Sequence, residues 1–331
     1  MSAVLEAVAP PPLDADPVLL ADWLELVAFL DERNLARLDE IDNAFAIQDE
    51  EHATDDASAD ARREARRELI ENELIARFGQ LEHAYPFELS ADGEELRFKG
   101  RGQRRGACFY LACLIISHFT KSPILTKPPK DDDAAKVRKR QFQIMATLAV
   151  AGHASGPALS FGWPRSTGET ITQAIQRCCD MSGTGTPRTP PGPEASARAK
   201  DGGMDVIAWS PAINNQPPPR IMFFGQAASG RNWAGKSAQD ELDTFLEGYF
   251  LDRPACASAG VTVVPHRLSV EEHTRFGRRH GHILDRTRTP RAALEGYRLA
   301  KEVGHAIDEA DAVARLNIWL IRYRKGLAAA A

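Results

Sequence analysis

Asp205 stands where an acid has to find a partner. It follows Gly202 and Gly203 and opens the apolar run VIAW at 206–209, so its carboxylate enters a strand destined for burial. A hard divalent cation, bound through oxygen, is one such partner. Gln226 closes a second apolar run, 220–225, and offers an amide oxygen. Glu169 opens a helical stretch upstream, and Lys236 lies ten residues beyond Gln226, where the next helix starts. Each also has a plainer role. Asp is common in glycine turns, and a strand-end Gln bonds to backbone. A first-turn Glu complements the helix dipole, and a lysine is often simply solvated. Trp233 reads as a packing residue for its loop, with base stacking the lesser role.

The elements that must position these residues follow from periodicity. Residues 1–16 are Ala/Pro-rich and read as a loose tail. From 17 to 34, Leu20, Trp23, Leu24, Val27 and Leu30 recur at helical spacing, with Asp16 as cap and Pro17 in the first turn. A second helix or helical pair covers 35–79 with a polar break near 50–60. Residues 85–99 alternate around Asp92-Gly93 as a hairpin. An apolar helix spans 104–120, followed by a Pro/Lys loop. Another helix covers 133–152, basic at its start (Lys136, Arg138, Lys139, Arg140). Ser166 or Thr167 caps a helix that carries Glu169 in its first turn. Residues 182–203 read as a mobile loop. Strands are expected at 204–209, 220–225 and 261–264, a helix at 237–250, and basic helices over 269–325.

These elements divide the chain into a mainly helical domain at 1–130, an α/β core at 131–268 and a basic helical extension at 269–331. The core is expected to be a small mixed sheet flanked by helices. Its order is helix with Glu169, loop, strand with Asp205, strand ending at Gln226, helix, strand. With the strings DGGMDVIAW (201–209) and IMFFGQAASGRNWAGK (221–236), it resembles the restriction-endonuclease-like fold of the PD-(D/E)xK nucleases. The first string looks like the strand entry of the Mrr branch, in which glutamine replaces the second acid. The resemblance implies a Mg²⁺- or Mn²⁺-dependent endonuclease cutting DNA phosphodiesters. Asp205, Glu169 and Gln226 would hold the metal, and a lysine would orient the attacking water. It also implies a bacterial restriction or anti-phage setting, with a protein partner that keeps the nuclease silent. The sequence departs from the family at position 228, where Ala228 stands in place of the expected lysine. Lys236 and Lys200 are the candidates to replace it, and their distance in sequence keeps an inactive nuclease-fold subunit in play.

A second motif competes for the same segment. Residues 230–237, GRNWAGKS, match the phosphate-cradling pattern G-x-x-x-x-G-K-[ST] and imply a nucleotide-binding alternative. Against it stand the four residues between strand and loop, the bulk of Asn232-Trp233, and the lack of a later apolar strand ending in Asp. Charge is uneven. Residues 1–80 carry a balance of −13 and residues 266–331 a balance of +5, which suggests a partner-facing end and a phosphate-facing end. Arg275, Arg278, Arg279, Arg286, Arg288 and Arg291 suit phosphate contacts. His280 and His282 lack a third ligand at metal spacing. The five cysteines form no framework, no basic-then-apolar leader opens the chain, and the apolar stretch 107–119 is short of the ~20 residues that span a bilayer. A cytoplasmic protein without a membrane segment is therefore expected.

Overall fold

The computed structural model describes residues 7–48, 56–99, 105–119, 122–163, 165, 167–193 and 195–329. The chain forms two compact units, Met1–Ala134 with Asn317–Ala331, and Ala135–Leu316.

The first unit is mainly helical: α1 (Pro17–Leu30), α2 (Asp39–Gln48), α3 (Asp56–Leu81) and α4 (Arg105–Ser117). Asp16 caps α1 by accepting from Leu19 N at 2.7 Å, with Pro17 in the first turn. The hairpin is β2 (Phe87–Leu89) and β3 (Glu95–Phe98), to which β1 (Leu35–Arg37) adds an outer strand. Gly93 turns it with φ +75°, a conformation glycine adopts without steric cost. The segment expected as a loose tail is held from Ala7 onward. Ala9 N bonds Ile124 O, Thr126 N bonds Ala7 O, and Trp23 Nε1 donates to Ala9 O. The expected break near 50–60 lies partly outside the described residues, and from Asp56 the chain is helical.

Helix α1 also buries two acids, Asp22 and Glu25, which lie off its apolar spacing. Arg77 meets both, at 2.8 and 2.9 Å, and also pairs with Glu73. Tyr85 and Tyr110 donate to Glu25, and His118 bonds Asp22. Charges this deep are tolerable only when paired and hydrogen-bonded.

The second unit is α/β. Helix α5 (Asp131–Lys136) runs through a π-helical turn, Val137–Gln141, into α6 (Phe142–Ala154). There follow β4 (Ala158–Ser160), α7 (Ile171–Ser182), β5 (Thr186–Pro187), β6 (Val206–Ser210), β7 (Ile221–Ala227), α8 (Ala238–Tyr249), β8 (Phe250–Asp252), β9 (Ala257–Val263), α9 (Val270–His280), β10 (His282–Leu284) and α10 (Thr289–Arg298). The last helix, α11 (Val313–Ala329), ends among residues of the first unit.

Five strands form one mixed sheet in the order β10-β9-β7-β6-β4. The β4/β6 and β6/β7 pairs are antiparallel; β7/β9 and β9/β10 are parallel. The sheet alternates as a two-faced strand pattern requires. Ile207, Trp209, Met222 and Phe224 face a core closed by α7 and α8. On the other face Gly225 lies against Val150 of α6. Helix α10 lies on α6 through a pair of glycines. A Cβ on Gly152 would stand 1.9 Å from Ala292 O, and one on Gly296 2.0 Å from Leu148 O.

Two expectations change here. Strand β10 and helices α9 and α10 belong to the sheet unit, so 269–331 is not a separate extension. The loop expected to be mobile is tied along its length: Arg188 N bonds Tyr249 O, Gly192 N bonds Gly248 O, and Tyr249 Oη donates to Ser196 O. Strand β4 is three buried residues between β6 and the segment 306–308. Ala158 N bonds Ala306 O, Asp308 N bonds Ala158 O, and Ser160 N donates to Asp308 Oδ2. The cysteines form no disulfide, and all but Cys256 are buried. Among the described residues, no helix is long and apolar enough to cross a membrane.

Candidate functional site

The strand directions bring four chain segments to one edge of the sheet. Val206 opens β6 opposite Gly225, while Ala227 closes β7 opposite Val263 and Val263 stands opposite Leu284. The start of β6 and the ends of β7, β9 and β10 therefore share this edge.

Asp205 sits at its centre. Its N–H donates to Gly225 O at 2.8 Å, and its carbonyl accepts from Phe161 N and Gly162 N. One carboxylate oxygen, Oδ2, accepts from Ala227 N at 2.8 Å, which fixes the side chain against β7. Burial pushes the carboxyl up to about 7. The Ala227 N–H and the charge of Lys236 pull it down, while Asp201 pushes it further up. One amide cannot offset the loss of water around a charge.

The glycines before Asp205 have distinct reasons. Gly202 and Gly203 both take positive φ, +64° and +92°. A side chain on Gly202 would also meet the Tyr249 ring at 2.8 Å. The turn is closed by Asp201 Oδ1, which accepts from Gly203 N at 3.0 Å.

Gln226 projects from the end of β7. Its Nε2 donates to Gly203 O at 3.2 Å, which turns the amide. Its Oε1 is buried and receives no hydrogen bond from the protein. An orphaned buried oxygen carries a desolvation cost of roughly 1–3 kcal/mol, and a cation would remove it. Asp205 and Gln226 thus supply two oxygens suited to a hard ion that keeps much of its own water. Among the described residues no group of three or more His, Cys, Asp or Glu gathers around a common point.

The Glu169 carboxylate has other partners. Thr170, not Ser166 or Thr167, caps α7, in a capping box with Gln173, so Glu169 falls outside the first turn; Ser166 is outside the described residues. The Glu169 carboxylate pairs with Arg177 at 3.1 Å, and Arg177 also grips Asp308 through both Nη atoms. The charges that bear on Asp205 are instead those of Asp201 and Lys236. Asp201, in the same DGG string, is the acid that sequence reasoning left out.

Ala228 is explained by its surroundings. It is buried with Trp233, Val264, Leu268 and Ile283, so a lysine there would put its charge in an apolar cluster. Lys236 follows the short helical turn Trp233–Gly235 and is exposed. Lys200 is also exposed, and its carbonyl accepts from Arg165 Nη2. Arg165 is buried, takes Glu169 O as well, and leaves Nε without a partner. It clamps the loop before α7 to the segment that leads into Asp201.

The segment 230–237 does not build an open phosphate cradle. Trp233 occupies it, packed on Phe276 and His280. Ser237 is buried, caps α8 by accepting from Asp240 N, and donates to Arg279 O.

The arginines expected to bind nucleic acid fall into two groups. On α9, Arg275 lies over Phe276, Arg278 is exposed, and Arg279 pairs with Asp240 at 2.6 Å. Beyond β10, Arg286 is buried with its N–H on His266 O, and Arg288 contacts Asp285. His280 is buried between rings, and His282 meets His153 at 3.0 Å.

Compared with protein-family models, curated proteins and solved structures, the chain gave no match.

Proposed function

We propose that the unit 135–316 is a divalent-metal-dependent nuclease of the PD-(D/E)xK kind, hydrolysing DNA phosphodiester bonds. One observation carries this reading. Asp205 and the orphaned Oε1 of Gln226 meet at one sheet edge, the acid under-supplied with donors and the amide under-supplied with partners. The order of elements supports it: two adjacent antiparallel strands, a helix, then a strand parallel to the second.

Asp205 and Gln226 would hold Mg²⁺ or Mn²⁺, with Asp201 adding negative potential. The bound ion lowers the pKa of a water and neutralises charge on the phosphate. The protein's own part is positional. The Ala227 N–H holds Asp205 in one rotamer, and Gly203 O turns the Gln226 amide so that oxygen is offered instead of nitrogen. Lys236, exposed at the head of α8, would orient the attacking water in place of a lysine at 228. Glu169 acts through Arg177 as a scaffold. A partner of the same defence system, docking on the acidic first unit, would keep the enzyme silent.

The test is cleavage of supercoiled and linear plasmid with Mg²⁺ or Mn²⁺ by the full chain, beside Asp205→Asn. Cutting that vanishes in the variant supports the reading. Equal cutting by both would sink it. Binding of DNA without cutting by either protein, in any divalent ion, points to the second reading, an inactive nuclease-fold subunit. The apolar burial of position 228 is the feature that favours that alternative.

A further inference from the structure

On the face of the sheet turned away from the core under α7 and α8, two histidines meet. His153 stands in the last turn of α6, and His282 opens β10, 129 residues further on. His153 Nε2 and His282 Nδ1 are 3.0 Å apart. The ring of Phe223, from β7, closes a third side, with its centroid 5.0 Å from that of His153 and 5.5 Å from that of His282. Alternation along β7 puts Phe223 and Gly225 on this face, and Met222, Phe224 and Gln226 on the other. The pair is therefore separate from the oxygens offered at Gln226.

Two readings compete for such a pair: a bond from one ring N–H to the other ring nitrogen, or a shared ion. The ring centroids are 4.9 Å apart and the ring planes lie at 65°. Two rings meeting head-on across a 3.0 Å gap would stand further apart than this, so the approach is bent. Bending weakens an N–H···N bond, whereas two imidazoles on one ion must meet at an angle. With metal–nitrogen bonds of about 2.0 Å, their nitrogens stand about 3.3 Å apart at a tetrahedral centre and about 2.8 Å apart as neighbours in a square-planar one. The observed spacing falls between the two. Three further features favour a cation here. His153 lies in the last turn of α6, at the negative end of the helix dipole. Both ligands stand on fixed backbone: Gly152 is packed on α10 with no room for a Cβ, and His282 is paired with Val261 of β9. His282 is exposed, which gives an ion from solvent a way in.

We propose that His153 and His282 form a two-imidazole site for a transition-metal ion such as Zn²⁺ or Cu²⁺, with water completing its shell. Imidazole suits these ions, whereas Mg²⁺ and Ca²⁺ prefer oxygen. The bound ion pins β10, the outermost strand of the sheet, to α6. The site needs no DNA, no cleavage and no ion at Asp205.

The experiment gives the full chain, purified without a histidine tag, one equivalent of Cu²⁺, the ion of the divalent series held most tightly by such ligands. Nitrogen-sensitive electron paramagnetic resonance counts the imidazoles on the ion, and a titration gives its affinity. Two imidazoles are expected on the parent, on Asp205→Asn and on His83→Ala, which removes an exposed histidine elsewhere. His282→Ala and His153→Ala are each expected to leave one imidazole at most. Each should bind at least about 10-fold more weakly, since even changes outside the ligand shell cost about 10- to 100-fold. Because His282 is exposed, its removal leaves the fold in place, which near-UV circular dichroism verifies. The site is refuted if the parent holds no Cu²⁺ through two imidazoles, or if His282→Ala keeps both the count and the affinity. Failure of Asp205→Asn to alter cleavage would sink the nuclease reading and leave this site standing.

Discussion

Two aspartates border the same sheet edge, and their surroundings differ in kind. Asp205 has one amide donor, feels the opposing charges of Asp201 and Lys236, and is pushed up to about 7 by burial. Asp285 is at least as buried, yet its carboxyl lies below the ordinary value. Burial pushes it up, but hydrogen bonds from His273, Thr287 and Leu268 outweigh that. A buried acid saturated with donors is scaffold, while one left short of them is open to a ligand. The pairs around the two repeat the contrast. Gln226 beside Asp205 keeps an orphaned oxygen, whereas Thr287 beside Asp285 spends both its donors on the carboxylate.

The comparison can be broken at either end. The largest effect is expected in catalysis: Asp205→Asn should lower plasmid cleavage by about 10³-fold or more, since it removes the principal metal-binding charge. Comparable rates in a quenched time course would erase the distinction. Asp285→Ala should do the opposite, leaving any cleavage chemistry intact at low temperature while destabilising the second unit by about 3–5 kcal/mol. Breaking a buried pair strands its partners, and urea unfolding measures the loss.

The third test uses pH. The folded value near 7 for Asp205 lies above its ordinary 3.8, so without metal the folded state holds this proton more tightly than the unfolded chain does. That contribution is complete below the ordinary value and disappears as pH rises through about 7. Asp205→Asn should therefore raise the melting temperature at pH 8 in EDTA, by an amount worth about 1–3 kcal/mol, and by progressively less as pH falls toward the ordinary carboxyl value. A variant that melts below the parent at pH 8 would remove the physical basis assigned to the site. The smallest effect belongs to Glu169→Gln. With its carboxylate paired to a partly exposed Arg177, stability should fall by less than about 1 kcal/mol and cleavage by less than about threefold. A loss of cleavage approaching that of Asp205→Asn would restore Glu169 to the metal.

How far the site could be read from sequence depends on how local its causes are. The placement of Asp205 and Gln226 at one sheet edge was legible because apolar runs of strand length end at them, and strand ends meet at sheet edges. The cap at Asp16 needed only its neighbours. Glu169 misled because its partner Arg177 is itself held by Asp308, far along the chain, and no spacing announces that tie. Asp201 was hidden by its other task, closing the glycine turn. Strand β4 escaped because three residues give no period, and its pairing with 206–208 is settled by the sheet. The DGG string carried a conformational message as well, since two left-handed residues in succession leave little choice but glycine.

The short segment 306–308 behaves as a selvedge on the woven sheet. By bonding Ala158 on one side and turning away through Glu309 in a left-handed conformation, it finishes a border that would otherwise offer bare amides and carbonyls to any passing strand. A chain cut before Ala306 would keep Asp205 and Gln226 yet lose that hem. Its fate would then be decided at the border, where β4 of one copy could pair with β4 of another, and the first symptom would be association that grows with concentration.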